Sequence, residues 1–400
     1  MNWGKQALPL LAVLGALAPM QSLHSQLPDA PAPASTPSSH TTPAAASSRE
    51  GYVGDEACRS CHQQDFDTNP GSPHHLASRM PDQTSIDGQF TPGSNILRTS
   101  NPYFYFVMNA TREGFFQRAV AQFPPSETIS QQERFDVVIG SGRKGQTYLY
   151  WKGDELFELP VSYWTETHQW MNSPGYPDGL PNFDKPIAPR CLECHATYIQ
   201  SLSPPLNRFD RKSMVLGISC EKCHGPGRAH VEGERSGKAL PAGAADIINP
   251  ASLSRERQMD LCALCHSGPG TGKLPAFSFV PGAVLGNYLT RPTDPDDTLV
   301  DVHAHQVQLL EGSRCFQSSS MTCITCHDVH QAQRDVAYFS ARCVTCHRVE
   351  SCGRYKTMGT QILNKCVDCH MPLKESDLIV FDADGHQVKP RVRSHRIAIY

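Results

Sequence analysis

Gly217-Ile-Ser-Cys220-Glu-Lys-Cys223-His224-Gly-Pro-Gly-Arg-Ala-His230 holds the pattern that decides how this chain is built. Two cysteines stand three positions apart, a histidine follows the second, and another histidine comes six residues later. The same five-residue pattern, Cys-x-x-Cys-His, occurs seven times and takes up 14 of the 16 cysteines. Its copies are Cys58/Cys61/His62, Cys191/Cys194/His195, Cys220/Cys223/His224, Cys262/Cys265/His266, Cys323/Cys326/His327, Cys343/Cys346/His347 and Cys366/Cys369/His370. We number these motifs 1 to 7. Positions i, i+3 and i+4 share one face of a helical turn. Two thiols so placed can form thioethers with the vinyl groups of one porphyrin while the histidine reaches its iron, which is the attachment pattern of c-type haem. Paired Cys-x-x-Cys units can also close a zinc site, and many cysteines can form a disulfide framework. Neither alternative calls for a histidine after every pair. The reading is therefore seven covalently bound haem c groups, with the motif histidines as proximal iron ligands.

The remaining histidines supply candidates for the opposite side of each iron. The chain has 18 histidines. His24 and His40 fall in an N-terminal stretch that does not read as folded. Nine are left: His74, His75, His168, His230, His303, His305, His330, His386 and His395. If the close pairs His74/His75 and His303/His305 give one ligand each, seven positions face seven irons. His330 follows His327 by three residues, too few to pass around a macrocycle, so it is expected to serve a neighbouring haem; His230, six after His224, is read the same way. Met371 beside His370 fails as a ligand for the same reason of reach.

Composition limits the rest. The chain has 400 residues, a net charge of −3 and 19% charged residues, so no basic excess favours a nucleic-acid backbone. With 32 prolines and 29 glycines, a long helical bundle or coiled coil is excluded. Seven haems leave roughly 50 residues each, too few for seven independent cores, so the haems must supply much of the apolar interior. Each oxidised haem adds about −1, so the holoprotein is expected to be acidic and to meet basic patches on its partners.

Ala7 to Met20 is apolar and short, preceded by Lys5, and reads as the core of a signal peptide over 1–25. A Pro/Ala/Ser-rich linker follows over 26–50. A first haem segment spans 51–90, a β-rich insert 91–170 and a six-haem region 171–400. The insert is read from alternating runs such as Tyr103–Met108, Phe115–Val120 and Thr147–Trp151. Gly140-Ser-Gly142-Arg-Lys-Gly145 is followed by a strand pattern rather than a helix, so it is a turn and not a dinucleotide loop. The expected fold is mainly α with extensive loops around the haems, plus one antiparallel β-insert between motifs 1 and 2. The leftover Cys315 and Cys352 are expected to form a disulfide in an exported protein.

Several stretches resemble bacterial multihaem cytochromes with cytochrome c-552/4-type domains: Gly217–His230, Thr322–His330, Cys366–Pro372 with Ser394–Ile397, and Lys185–Tyr198. The resemblance implies a periplasmic or cell-surface electron carrier, mostly helical around its haems, with mainly bis-histidine iron. It does not extend to the nitrite reductase pattern, because no motif here ends in lysine. The functional expectation is an exported heptahaem carrier that exchanges electrons with other redox proteins, with no catalytic residue assigned, no nucleic-acid partner and no membrane span after signal cleavage. The alternative is a multihaem redox enzyme whose one open iron takes a small nitrogen or sulfur oxyanion. The open site would arise where His168 or His386 fails to bind.

Overall fold

Alternation of large apolar and polar residues drives the first half of the fold into sheets. In the computed structural model, residues 51–400 are described except 124, 126, 238–246, 294–298, 304 and 384. The expected signal peptide and linker lie outside the described residues. The strands are β1 (Ser78–Arg79), β2 (Ile96–Arg98), β3 (Phe104–Thr111), β4 (Gly114–Phe123), β5 (Glu127–Arg134), β6 (Val137–Ile139), β7 (Gly145–Lys152), β8 (Glu155–Glu158), β9 (Val161–Trp164), β10 (Gln169–Asn172) and β11 (Lys185–Pro186). Strands β2-β3-β4-β5 form one antiparallel sheet. A nine-stranded sheet runs β1-β6-β7-β9-β10 and is extended by a C-terminal hairpin, Phe381–Ala383 with His386–Val388; β8 and β11 branch from β7.

The two sheets pack face to face. Phe104, Phe106 and Met108 alternate inward along β3 and meet Val138, Tyr148, Val161, Tyr163 and Trp170 of the larger sheet. Gln117, fully buried on β4, ties the sheets by accepting from Val161 N (2.9 Å) and donating to Val161 O (3.0 Å). A buried amide is tolerated because both its functions are used. The opposite face of the large sheet carries a second core: Val137, Leu149 and Leu156 pack on Ile187, Leu192, Ile199 and Phe209. Leu192 lies inside motif 2, so the sheet is the platform on which that motif sits.

Helices are short and gather around the motifs. Arg255–His266 is the longest, with its N-terminus capped by Ser254 and its core residues Met259, Ala263 and Leu264 packed against Leu285, Leu289, Val307 and Phe316. The expectation of a mainly α fold is overturned: the chain is 28% helical and 26% strand, in several antiparallel sheets. The physical reason is that haem-motif helices need only one turn each, whereas the sheets provide the continuous apolar surface that turns cannot. Strand pairing also reaches outside 91–170, through β1 before it and the 381–388 hairpin after it. The described residues from Gly51 to Tyr400 cluster as one unit.

Candidate haem sites

Each motif folds locally as a single turn. Motifs 3 and 7 are the helices Cys220–His224 and Cys366–His370, and motifs 2 and 4 end the helices Pro189–His195 and Arg255–His266. In motifs 1, 5 and 6 the histidine amide bonds the carbonyl of the first cysteine at 2.9–3.0 Å. The two thiols and the imidazole thus leave the backbone on one side, as a porphyrin edge requires.

Histidines remote in sequence then face the motif histidines. His266 lies opposite His74 with ring centroids 6.0 Å apart and planes at 75°. His195 lies opposite His303 at 6.0 Å and 69°. His224 lies opposite His330 at 6.2 Å and 21°, and His327 opposite His395 at 6.2 Å and 28°. An iron bound on both sides by imidazoles, with metal–nitrogen bonds of about 2 Å and ring centres roughly 1.2 Å behind each nitrogen, sets the centres about 6.4 Å apart. The observed spacing of 6.0–6.2 Å fits an intervening metal. The ring chemistry agrees. His224 Nδ1 donates to Ile248 O (2.8 Å), His395 Nδ1 to Arg393 O (3.2 Å) and His370 Nδ1 to Ala398 O (2.7 Å). A carbonyl only accepts, so the proton sits on Nδ1 and the Nε2 lone pair is left for a metal. Desolvation lowers His266 to about 3 and His195 and His395 to about 4, and lowers His74, His224, His303 and His327 as well. These rings are neutral at physiological pH, the state a ligand needs. The residues present therefore fit haem c at motifs 2 to 5.

The other candidates are placed differently. His75 is half-buried beside Asp55 (3.6 Å), and His305 is buried at the start of helix Gln306–Glu311 with a left-handed backbone. His230 lies half-buried on helix Arg228–Ser236. His168 and His386 are exposed, on a turn and on the C-terminal hairpin. Among the described residues, no ring contact brings a histidine opposite His62, His347 or His370. Cys315 and Cys352 are separate half-buried thiols, so the expected bridge is not formed; they belong to different segments, helix Arg314–Gln317 and the end of the turn Val349–Ser351.

The motifs are also brought to one another. The thiols of Cys58 and Cys220, Cys194 and Cys265, and Cys262 and Cys323 face each other in hydrogen-bonding reach, and each contact raises one thiol and lowers the other. Motif 1 thus adjoins motif 3, motif 2 adjoins motif 4, and motif 4 adjoins motif 5. Phe339, a turn before Cys343, lies 5.1 Å from the His327 ring, joining motif 5 to motif 6. Among the described residues, no cluster of three or more His, Cys, Asp or Glu side chains is arranged to hold a bare metal ion.

Four of the attachment thiols lie at the surface. Cys61 is exposed, as are Cys191, Cys346 and Cys369. In motif 1 only Cys58 turns inward, to Cys220 of motif 3. Cys61, three residues on, is left toward solvent beside its neighbour Ser60, whose Oγ lies 3.8 Å from the thiol. Its proximal histidine, His62, is exposed with it. The physical reason is position: motif 1 leads directly into the short helix Gln63–Thr68, which has no buried residue. A porphyrin held by Cys58 and Cys61 would therefore have one edge toward motif 3 and the other toward solvent.

Sequence reasoning passed over the acidic residues between the paired cysteines. Glu221 in motif 3 is buried and accepts three backbone amides, Val53 N (2.9 Å), Gly54 N (2.9 Å) and Gly227 N (2.8 Å). Asp55 returns the bond by accepting from Cys220 N at 3.1 Å. Glu193 in motif 2 accepts Phe277 N (2.6 Å) and pairs with Arg190, whose guanidinium also reaches Leu264 O of motif 4. Asp368 in motif 7 pairs with Arg393 at 3.0 Å. These positions read as variable spacers, and only the fold shows that Glu221 and Glu193 clamp one motif to its neighbour while Asp368 ties motif 7 to the strand 391–393.

Comparison with known proteins agrees with this chemistry. Residues 166–225, which hold motifs 2 and 3, match the family of cytochrome c554 and c-prime. The outer cell wall cytochrome OcwA is structurally similar, with a TM-score of 0.51 and 15% identity over 87% of this chain and 79% of that one. At such identity the likeness concerns the fold alone. The undecahaem cytochrome from the S-layer of Carboxydothermus ferrireducens aligns at a TM-score of 0.34 and 16% identity, over 81% of this chain and 51% of that one. No curated protein matches the sequence. The partial family match and the likeness in fold support a multihaem c-type cytochrome.

Proposed function

We propose that the protein is an exported heptahaem carrier that passes electrons through closely packed haems, most of them held between two histidines. The observation that carries this reading is the set of four histidine pairs at 6.0–6.2 Å, each joining a motif histidine to one distant in sequence. Bound haem would supply one-electron redox chemistry at each iron. The chain's part is to hold the thioethers with seven Cys-x-x-Cys pairs, to orient imidazoles through backbone carbonyls, and to bring motifs into contact so that transfer distances are short. An iron filled on both sides has no position for substrate, which favours conduction over bond chemistry.

Export rests on the Ala7–Met20 segment and on the attachment chemistry, and an outer-cell-wall setting is the one named for OcwA. No helix among the described residues is long and apolar enough to cross a membrane. Donor and acceptor are taken to be other redox proteins. A second reading is favoured by His62, His347 and His370, which face no histidine ring among the described residues. An iron at one of these motifs, open on one side, would make the protein a redox enzyme for a small nitrogen or sulfur oxyanion.

The test is the oxidised holoprotein. A pyridine haemochromogen assay against protein mass is expected to give seven haems per chain. Addition of nitrite, hydroxylamine and sulfite, followed in the Soret band, is expected to produce no stoichiometric change; fast binding with turnover would replace the carrier by the enzyme.

A further inference from the structure

Charge is distributed unevenly along this chain. Between Arg342 and Lys365, the stretch that runs from motif 6 to motif 7, stand five of the 36 cations and one of the 39 anions, so the stretch is +4 and the rest of the chain −7. Those cations are not consumed internally. Arg348 has its side chain 90% exposed and its nearest acid, Glu350, 4.0 Å away. Arg354, Lys356 and Lys365 are exposed and make no ion pair among the described residues. Arg342 is directed at the Tyr338 hydroxyl and ring. Two haems at about −1 each leave the stretch positive.

The same stretch is where the motifs come to the surface. Cys346, His347 and Cys369 are exposed, whereas the attachment thiols of motifs 3 and 4 are at least partly covered. Motif 1 is exposed too, at Cys61 and His62, but its surroundings have the opposite sign: residues 51–72 carry Asp55, Glu56, Asp65 and Asp67 against Arg59 alone. Electron transfer between proteins needs a cofactor edge near solvent and a surface that steers the partner to it. An exposed pair of motifs and a run of exposed cations coincide at motifs 6 and 7, next to motif 5.

Resting on the carrier reading, we propose that the segment between motifs 6 and 7 is a docking surface for an acidic one-electron redox protein. The surface is local: the chain as a whole repels such a partner, and the +4 stretch selects the approach that sets it beside motifs 6 and 7.

The experiment uses the full holoprotein and a reduced acidic [2Fe–2S] ferredoxin as probe. Stopped-flow oxidation of the ferredoxin and calorimetric binding are measured at low and high ionic strength. The variant Arg348→Glu/Arg354→Glu/Lys356→Glu is compared with a control that reverses three exposed cations on the β-sheets, Arg98→Glu/Arg112→Glu/Lys152→Glu. The expected result is a rate and an affinity lowered at least tenfold in the first variant at low salt, little change in the control, and convergence of all proteins at high salt, where surface charges are screened. Equal slowing in both variants, or in neither, overturns the proposal. So does an affinity of the segment for an acidic polysaccharide with none for ferredoxin. Haem content and reduction by a small neutral hydroquinone, which is oxidised to its quinone, separate the two levels. A wild-type protein that takes no electrons from the hydroquinone overturns the carrier reading and this one with it. One that takes them but shows no charge effect overturns this one alone.

Discussion

Replacing His330 by alanine isolates a single iron site and tests the ligand geometry at its weakest link in sequence. His330 is only three residues from the motif histidine His327, yet its ring stands opposite His224, 6.2 Å away and 21° from parallel. Two imidazoles that lie parallel donate into the same iron d orbital and split the remaining pair widely, which gives a rhombic low-spin signal in electron paramagnetic resonance. Perpendicular imidazoles leave those orbitals nearly equal and give a single large g value. The four pairs therefore divide evenly: His224/His330 and His327/His395 at 21° and 28° are rhombic, and His266/His74 and His195/His303 at 75° and 69° are of the large-g kind. His330→Ala is expected to remove half of the rhombic intensity from these four sites, to create one high-spin iron, and to leave the large-g signals untouched. The pair also closes a loop of roughly 100 residues, so the ceiling on lost stability is about 4.7 kcal/mol in the chain-entropy model. The measured loss should fall below that ceiling, since the other ligated pairs still restrain the unfolded chain. His303→Ala is the counterpart and should remove a large-g signal instead. Loss of a large-g signal in His330→Ala, or no high-spin iron, would refute the geometry argued above.

Glu221→Gln removes the charge that three backbone amides share and is expected to cost about 2–4 kcal/mol; limited proteolysis should cut ahead of motif 1 faster than in the wild type, with haem content unchanged. Gly217 has φ of +70°, and a Cβ there would lie 2.4 Å from the His75 carbonyl oxygen. Gly217→Ala should therefore cost about 1–3 kcal/mol and disturb the His74/His266 signal before the other three, read by resonance spectra during thermal unfolding. A Cβ at Gly88 would lie 2.2 Å from the Trp170 ring, so Gly88→Val should loosen the two-sheet core, seen as a shift in tryptophan emission, while the iron spectra stay as they are.

The haem motifs were readable because the spacing is itself the mechanism: Cys220, Cys223 and His224 must share one turn, and no other arrangement does the job. How deep each motif sits was not readable, since Cys58 and Cys61 belong to the same turn and only one of them meets another motif. The choice between His74 and His75, or His303 and His305, was equally hidden. Neighbouring residues differ only in direction, and direction is set by packing, as where Ile218 N bonds His74 O at 2.9 Å and holds that turn. Helical content was overestimated because seven helical turns look like the start of seven helices. What ends them is tertiary: Ala196 leaves motif 2 straight into a hairpin with Phe209–Leu216. The C-terminal hairpin was invisible for a related reason, since Phe381 only gains meaning against Trp164, 4.8 Å away and more than two hundred residues earlier.

The three facing thiol pairs impose an order of events on the making of this protein. Cys58 against Cys220, Cys194 against Cys265 and Cys262 against Cys323 are each a disulfide waiting for an oxidant. Each such bond would disable two motifs at once, and together they would spoil motifs 1 to 5. A polypeptide that reached its final shape with bare thiols in an oxidising compartment would need any such bonds reduced before it could take haem. Attachment has to come first, on a chain still open, and the thioethers then act as protecting groups that make the compact state safe to enter.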